Sequence, residues 1–290
     1  MAPVQADVSP LQSLYQPHAG NAKFFPAVWV REAADVVQQL DRLAVLFPGG
    51  KQLKQPEHRL NLPESMAVNP VDTNSYRRLD KLFIDFGSDK GTTSMVTAWS
   101  GHNYTYTYMQ ILEALHWKSR PLRLLEIGLG TNDTKAVSSM GGKGRPGASL
   151  RSWVEFLGDG HDVNGADFDR NILFTTERIR TTWVDQMDPN AFMPMHRALG
   201  NAPFDLLIDD GMHAVGTSFN TLLYGLEYGV KPGGFIVVED IHSRMRPAFR
   251  LFDTVLRATG GTTNIQTAFV VPRPREPHIL MYVVRILGRG

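Results

Sequence analysis

The sequence predicts an α/β fold with a mostly parallel, seven-stranded sheet, helices on both faces and an antiparallel edge strand. Beyond residue 75, short apolar runs of strand length alternate with amphipathic segments of helix length, and parallel strands need such crossover helices. The last two apolar runs, 265–271 and 278–287, have no helical segment between them. This final pair therefore indicates the antiparallel edge.

The individual elements follow from the spacing of apolar residues along the chain. Strands are predicted at 123–128, 163–168, 181–184, 204–208, 235–238, 265–271 and 278–287. Helices are predicted at 76–86, 148–157, 172–179, 218–228 and 247–259. A Lys-Pro-Gly-Gly segment predicts the turn before the fifth strand.

The N-terminal quarter of the chain differs from the rest. Residues 1–75 are predicted to form an arm and a helical extension, because their first part mixes Pro, Gln, Ser and Gly without a sustained period. Residues 27–46 have apolar side chains at helical spacing and stop before a Pro-Gly-Gly turn, which predicts an amphipathic helix. We assign the alternating strands and helices to a second unit, 76–290.

The composition excludes several classes of site and partner. Thirty basic and 29 acidic residues give a net charge of +1 without a dense basic run, so no nucleic-acid partner is expected. Cysteine is absent, so a metal would bind carboxylates, His or water, which favour Mg, Ca or Mn. No signal peptide and no apolar run of about 20 residues is visible, which predicts a cytoplasmic protein without membrane contact. A homo-oligomer is compatible with this composition.

Two apolar runs that end in acids are the most informative feature of the sequence. FDLLIDDGMH at 204–213 and GFIVVED at 234–240 have the pattern of buried strands. They bring to one sheet edge the polar residues Asp209, Asp210, His213, Glu239 and Asp240. Such a group suits a divalent ion and a general base. The alternatives are helix caps for the tandem aspartates, a surface ion pair for the Glu-Asp pair and a structural histidine.

A glycine-bearing turn and a later acid predict a nucleotide-binding end of the same sheet. EIGLG at 126–130 follows the first predicted strand, although the third glycine of the dinucleotide fingerprint is missing at its usual spacing. Asp167 ends the next strand, where an acid can accept hydrogen bonds from ribose hydroxyls. An ordinary turn at Gly128 and Gly130 and a solvated acid at Asp167 are the alternatives.

Further candidates lie beside this end of the sheet. Asp185 and Gln186 follow the third strand and offer an acceptor and an amide to an adenine edge. Ser149 can cap the helix 148–157 while that helix end meets a ligand carboxylate. The Gly-rich segment 131–147 exceeds the usual connection of about 2–6 residues, so it is either a lid or an insertion.

Two segments before the first strand carry weaker signals. Asp89 and Lys90 lie in a glycine-rich turn and belong either to a substrate-side loop or to a solvated turn. Tyr104, Tyr106 and Tyr108 alternate with threonine, and they either line a sugar or aromatic pocket or pack in the core along one face of a strand.

The motifs together resemble those of class I S-adenosylmethionine-dependent methyltransferases. ExGxG at 126–130, the acid at 167, FDLLIDDGxH at 204–213 and KPGGFIVVED at 231–240 are similar to the metal-dependent sugar O-methyltransferases of macrolide biosynthesis, the mycinamicin type. GSDKGT from residue 87 and GASLRSW from residue 147 resemble that group too. The resemblance implies a Rossmann-like methyltransferase fold and transfer of a methyl group to a hydroxyl of a glycosylated or polyhydroxylated small molecule.

The resemblance also implies roles for individual residues. A divalent metal, usually Mg, would bind to Asp210, Glu239 and Asp240, and His213 would be the general base. The methyl donor, S-adenosylmethionine, would bind to Glu126, Gly128, Gly130 and Asp167. To the donor site we add Ser149, Asp185, Gln186 and Asp209. The alternatives to this function are a catechol-type O-methyltransferase and a nucleotide-binding module without turnover.

Overall fold

The computed structural model describes residues 57–59, 62–66, 70–94, 101–136, 138–273 and 279–288. The helix predicted at 27–46 lies outside these residues. No helix within the described ranges is long and apolar enough to cross a membrane.

The described residues contain eight strands that form one sheet. The strands are β1 (Glu57–Arg59), β2 (Arg123–Ile127), β3 (Asp162–Asp167), β4 (Ile179–Trp183), β5 (Phe204–Asp209), β6 (Val230–His242), β7 (Ile265–Val271) and β8 (Ile279–Ile286). Their order across the sheet is β1-β7-β8-β6-β5-β2-β3-β4. β8 runs antiparallel to β6 and β7, between which it lies, and the other pairs are parallel. The predicted mostly parallel α/β sheet with one antiparallel strand is confirmed, and this strand, β8, lies inside the sheet with β7 and the short β1 beyond it.

The short first strand comes from the N-terminal part of the chain. β1 pairs in parallel with β7, so a segment before residue 75 joins the sheet outside the seven predicted strands. The first helix of the described chain begins at Thr73, where the Asp72 side chain caps it by accepting from the Asn74 N–H. The division of the chain near residue 75 stays a prediction.

Helices cover both faces of the sheet. They are α1 (Thr73–Phe86), α2 (Thr105–Ala114), α3 (Ala148–Leu157), α4 (Phe192–Ala198), α5 (Val215–Tyr224) and α6 (Arg246–Asn264). Alternation along β5 shows the two layers. Leu206 belongs to a buried cluster with Trp153 of α3, whereas Leu207 belongs to a second cluster with Phe219 of α5. β5 is therefore buried on both sides, as its uninterrupted apolar sequence predicts.

Two local predictions were wrong or incomplete. The helix predicted at 172–179 is replaced by a short 3-10 turn, Arg170–Ile172, which the Asp169 side chain caps. Thr175 then forms an antiparallel bridge with Arg180, so the chain folds back directly into β4. Threonine favours extended backbone, and its hydroxyl competes for backbone hydrogen-bond partners. The apolar residues at helical spacing in this segment therefore do not form a helix. The tyrosine-threonine segment, by contrast, forms α2 and not a strand.

The register of the parallel strands places the predicted site residues at one edge. Ile127 of β2 is paired with Asp209 of β5, which is paired with Val238 of β6. The next residues, Asp210 and Glu239, therefore lie side by side at the carboxyl end of β5. β3 adds Asp167 on the other side of β2.

Candidate active site

A cavity of about 1040 Å³ opens at the carboxyl ends of β2, β3, β5 and β6. The predicted residues that line it are Gly128, Gly130, Ser149, Asp167, Asp185, Gln186, Asp210, His213 and Asp240. Three predicted residues, Glu126, Asp209 and Glu239, are not among its lining and are almost completely buried. The sequence thus located the cavity, but these three acids act from behind its wall.

The two glycines after β2 are required by their surroundings. Gly128 has a φ of 97°, and a Cβ there would lie 2.0 Å from the carbonyl oxygen of Asp210. Gly130 has a φ of 76°, and a Cβ would lie 2.2 Å from the sulfur of Met140. At Gly128 both the left-handed backbone and the close backbone of Asp210 require glycine, whereas at Gly130 the left-handed backbone alone favours it, because the Met140 side chain can move. The turn thereby exposes backbone to the cavity.

Glu126 indirectly supports the end of the cavity that Gly128, Gly130 and Asp167 line, which is called the donor end below after its predicted ligand. Its carboxylate accepts a hydrogen bond of 2.6 Å from the Ser149 hydroxyl and one of 2.9 Å from the Trp153 indole. Burial raises the pKa of Glu126, although the nearby ammonium of Lys90 opposes this. Glu126 therefore fixes α3 against β2, while Ser149 itself reaches the cavity wall.

Asp167 organises the loops around the donor end. Its carboxylate accepts from the backbone N–H of Leu129 at 2.6 Å and from that of Asp169 at 2.8 Å. Burial raises the pKa of Asp167, and these backbone bonds oppose the rise. Asp169 in turn accepts from the Thr131 hydroxyl at 2.7 Å. The acid predicted to contact a ribose thus lies at the cavity and also joins the turns after β2 and β3.

Gln186 and Asp209 form a pair between β5 and the loop after β4. The Gln186 amide donates to Asp209 at 2.7 Å, and its carbonyl oxygen accepts from the backbone N–H of Met212 at 3.0 Å. Burial raises the pKa of Asp209. Asp185 reaches the cavity and caps the next turn by accepting from the Met187 N–H at 2.9 Å. Asp209 consequently positions Gln186 and does not face the cavity.

Three side chains at the other end of the cavity form a group that can hold a metal ion. One ligand atom from each of Asp210, His213 and Asp240 lies within 4.8 Å of the others. His213 Nε2 is 3.6 Å from Asp240 Oδ2 and 3.9 Å from Asp210 Oδ1. His213 and Asp240 both have positive φ, of 51° and 52°. Such strain in non-glycine residues persists where the surrounding structure imposes it, often at functional sites.

A buried lysine lies directly behind this group. Lys90 Nζ is 2.5 Å from Asp210 Oδ2, 2.5 Å from Glu239 Oε2 and 3.4 Å from Glu126 Oε1. Burial alone would lower the pKa of Lys90, but the carboxylates raise it well above its ordinary value. The sequence offered a substrate-side loop or a solvated turn, and it missed this buried ammonium.

Glu239 is held on both sides of its carboxylate. Oε1 accepts from the Tyr108 hydroxyl, and Oε2 accepts from Lys90. Burial raises the pKa of Glu239 well above its ordinary value, while Lys90 opposes the rise. The structure therefore does not bring this predicted metal ligand into the group formed by Asp210, His213 and Asp240.

Asp240 is flanked by two imidazoles and a tyrosine. Tyr104 donates its hydroxyl to Oδ1, and His102 Nδ1 lies 3.2 Å from the same oxygen. Although burial alone would raise the pKa of Asp240, His102 and His213 lower it. His102 lines the cavity and was missed from the sequence. The histidine lies two residues before Tyr104 in a segment with no strand or glycine motif to mark it.

The ligand atoms of Asp210, His213 and Asp240 suit a hard divalent cation. Asp210 Oδ1 and Asp240 Oδ2 remain on the cavity side, since Lys90 and Tyr104 occupy the opposite oxygens. Carboxylate oxygens are the ligands that Mg and Ca prefer, and an imidazole beside them suits Mn as well. This end of the cavity can thus bind an ion and hold a proton acceptor next to it.

Comparison with known proteins agrees with the sequence motifs. No protein-family profile matches the chain. It is 31% identical over 253 residues to the 8-demethyl-8-alpha-L-rhamnosyl tetracenomycin-C 2'-O-methyltransferase of Streptomyces olivaceus, covering 86% of this chain and 56% of that protein. It is also 31% identical over 204 residues to the L-olivosyl-oleandolide 3-O-methyltransferase of Streptomyces antibioticus, covering 69% and 46%. The chain thus spans about half the length of these curated relatives.

A solved structure shows the same fold. A methyltransferase from the mycinamycin biosynthetic pathway, in complex with Mg, SAH and mycinamycin VI, aligns with a TM-score of 0.54 at 22% identity. The alignment covers 73% of this chain and 54% of that protein. The predicted Rossmann-like methyltransferase fold is therefore confirmed. The chain is a homologue of O-methyltransferases named for sugar hydroxyls of glycosylated natural products, and the resemblance predicted from its motifs is confirmed.

Proposed function

We propose that this protein is an S-adenosylmethionine- and divalent-metal-dependent O-methyltransferase that acts on a hydroxyl of a glycosylated small molecule. The observation that carries the proposal is a single cavity with a glycine turn and Asp167 at one end and Asp210, His213 and Asp240 at the other. Its relatives are named for methyl transfer to rhamnosyl and olivosyl groups, which supports the same substrate class.

The donor end would bind S-adenosylmethionine. Bound there, the donor supplies a methyl group on a positively charged sulfur. The backbone of the Gly128–Gly130 turn and Ser149 lie where the amino-acid portion would contact the protein, and Asp167 would accept from the ribose hydroxyls. Asp185 and Gln186, which both line the cavity, would contact the base. These assignments rest on position in the cavity and on the motifs.

The ion end would hold Mg through Asp210 and Asp240. A bound divalent ion would supply Lewis acidity, which lowers the pKa of a coordinated hydroxyl. The structure of the mycinamycin-pathway methyltransferase contains Mg and SAH, which supports both groups as cofactors of the homologous fold. Glu239, which the resemblance assigns to the metal, has both oxygens occupied, one by Lys90 and one by Tyr108.

His213 is the proposed proton acceptor. It lies on the cavity wall three residues after Asp210, and its Nε2 faces the carboxylates of Asp210 and Asp240. The acceptor hydroxyl would give its proton to this nitrogen as its oxygen forms the bond to the methyl carbon. The carbon–sulfur bond breaks with its electron pair remaining on sulfur, so the products are a methyl ether and a neutral thioether.

The walls of the cavity favour a polyhydroxylated acceptor over a planar aromatic diol. Among the described residues that line it, Phe168 is the only Phe, Tyr or Trp. Asp89, His102 and Lys143 line it as well, and they offer hydrogen bonds to hydroxyl groups. A catechol would need more aromatic surface for stacking. Homo-oligomer formation, the absence of a nucleic-acid or membrane partner and a cytoplasmic location stay predictions.

Mass spectrometry of acceptor mixtures tests the function directly. Rhamnosyl and olivosyl glycosides, and catechols as the competing class, are incubated with the protein, S-adenosylmethionine and Mg. The expected result is a methyl mass gain on glycosides that disappears on chelation. Methylation of catechols alone would show that the acceptor is an aromatic diol and not a glycoside. Tight binding of NAD without binding of S-adenosylmethionine, measured by calorimetry, would contradict the proposed function.

A further inference from the structure

The acids at the ion end form two layers around Lys90. The outer layer is Asp210 and Asp240, which line the cavity. The inner layer is Glu126 and Glu239, which are 0% and 1% exposed and lie behind the cavity wall. The Lys90 ammonium lies between the layers and contacts Asp210 in one and both acids of the other.

The number of carboxylates around Lys90 equals the number of N–H groups on its ammonium. An ammonium has three N–H groups and no acceptor, and three carboxylates face Lys90. Burial of several carboxylates without a counter-charge is strongly unfavourable, so the lysine offsets their repulsion whether or not an ion is present. Asp210 uses Oδ2 for this contact, which leaves Oδ1 directed towards His213.

Glu239 has no oxygen left for an ion in this arrangement. Lys90 occupies Oε2 and the Tyr108 hydroxyl occupies Oε1. The neighbouring Asp240 differs, because its Oδ1 accepts from Tyr104 while Oδ2 faces His213 at 3.6 Å. Two adjacent acids of β6 are thus turned in different directions, one inward to the lysine and one outward to the cavity.

The segments that carry these contacts are tied to one another. The backbone N–H of Tyr104 donates to the carbonyl of Lys90 at 2.9 Å, and that of His102 donates to the carbonyl of Asp89 at 2.6 Å. α2 then carries Tyr108 one turn beyond Tyr104. Lys90, Tyr104 and Tyr108 therefore approach the two acids of β6 as one unit, which fixes the direction of each carboxylate.

We propose that Lys90 is a positioning residue that acts as an internal cation, so that Glu239 serves as its counter-charge and not as a metal ligand. The ion would then be held by the outward oxygens of Asp210 and Asp240, beside His213. This inference rests on the proposed function, and it concerns which residues of the chain hold the ion.

Mn²⁺ binding to the full chain, followed by electron paramagnetic resonance, tests the ligand set without donor or acceptor. D210N and D240N are each expected to lose at least about 100-fold in Mn²⁺ affinity, since each removes a ligand. E239Q is expected to lose about tenfold or less in Mn²⁺ affinity. This is the low end of the range for residues that contact the metal ligands and not the metal itself. The variant keeps one carbonyl oxygen to accept from Lys90 but presents an amide where the carboxylate accepted from Tyr108, so circular dichroism checks that it is folded. A loss for E239Q equal to that of D210N would overturn the proposal.

A second variant tests the lysine itself. K90M releases Glu239 and removes a positive charge near the ion, so Mn²⁺ affinity is expected to rise about tenfold. Adding E239Q to K90M should remove the part of this gain that comes from the released carboxylate, which leaves only the effect of the missing ammonium charge. Unchanged or weaker Mn²⁺ binding by folded K90M would overturn the proposal, and if K90M does not fold, the E239Q comparison alone decides.

Methyl transfer is measured separately, so wild-type protein that binds Mn²⁺ but transfers no methyl group would contradict the proposed function and leave this inference standing.

Discussion

The two ends of the cavity are built by different means. At the donor end, Gly128 and Gly130 bring backbone close to the cavity, and Asp167 is held by the N–H groups of Leu129 and Asp169. At the ion end, Asp210 and Asp240 are held by side chains, chiefly Lys90 and Tyr104. The donor end therefore depends on backbone shape, and the ion end depends on the balance of buried charges.

The origin of the supporting groups differs in the same way. The contacts of Asp167 come from residues that are its neighbours in the chain or lie on the adjacent strand turn. Lys90 is 120 residues from Asp210 and 149 residues from Glu239. The support of Asp167 thus joins turns of two neighbouring strands, whereas the support of Asp210 joins segments that lie far apart in the chain. Substitutions at the two ends should consequently differ in what they damage.

The largest effect is expected at the ion end. D210N should lower turnover by about a thousandfold, because losing the ion removes several kcal/mol of charge stabilisation. Steady-state kinetics with a glycoside acceptor and added Mg measure this loss, and calorimetry should show that S-adenosylmethionine still binds. A D210N protein with normal, chelator-insensitive turnover would remove the ion from the mechanism.

The next effect is expected at the donor end. G128A should weaken S-adenosylmethionine binding by about a hundredfold, because its methyl group would meet the Asp210 carbonyl and φ would be strained. G141A is the matched control, since Gly141 also lines the cavity and has a positive φ of 76° but no atom within 4 Å of the position that a Cβ would take. Calorimetry on both variants separates the two causes. Equal losses for both would assign the effect to backbone strain and not to the close approach.

A pair of tyrosines sharpens the description of the ion end. Y104F should lower Mn²⁺ affinity by about tenfold, because its hydroxyl orients Asp240, whose other oxygen faces the cavity. Y108F should leave Mn²⁺ affinity within about threefold, since its hydroxyl acts on Glu239 behind the wall, but it should lower stability by about 1–2 kcal/mol. Paramagnetic resonance and thermal unfolding measure the two quantities. A larger loss of Mn²⁺ affinity for Y108F than for Y104F would indicate that Glu239, and not Asp240, holds the ion.

The fold and the donor end could be predicted from local patterns. Apolar runs, crossover helices and the glycine turn at 126–130 each depend on a few consecutive residues. The helix predicted at 172–179 failed because Asp169 caps a shorter turn and Thr175 bridges back to Arg180. The competing hydrogen bonds there were not visible in the apolar spacing.

The ion end was predicted only in part. Asp210, Glu239 and Asp240 were predicted together as metal ligands, and of these Asp210 and Asp240 line the cavity. The sequence could not separate Glu239 from them, because adjacent acids after a strand look alike. Their directions are set by Lys90 and Tyr108, which reach the site from distant segments. Nothing in a glycine-rich turn or a tyrosine-threonine alternation reveals partners that far away in the chain.

The smallest effect is expected from the acid next to Asp210. Burial raises the pKa of Asp209 above its ordinary value of 3.8, so the folded state binds its proton more tightly than the unfolded state does. Stability from this group is present at low pH and is lost as pH rises through the folded pKa. D209N cannot ionise and keeps an oxygen for the Gln186 amide, so its melting temperature relative to wild type should rise with pH above 3.8 while turnover stays within about threefold. Thermal unfolding of both proteins across pH measures the difference, and a constant difference would show that the Asp209 carboxylate is not penalised by burial. Together with D210N, this variant contrasts two consecutive aspartates, one that supports Gln186 from within the core and one that faces the ion.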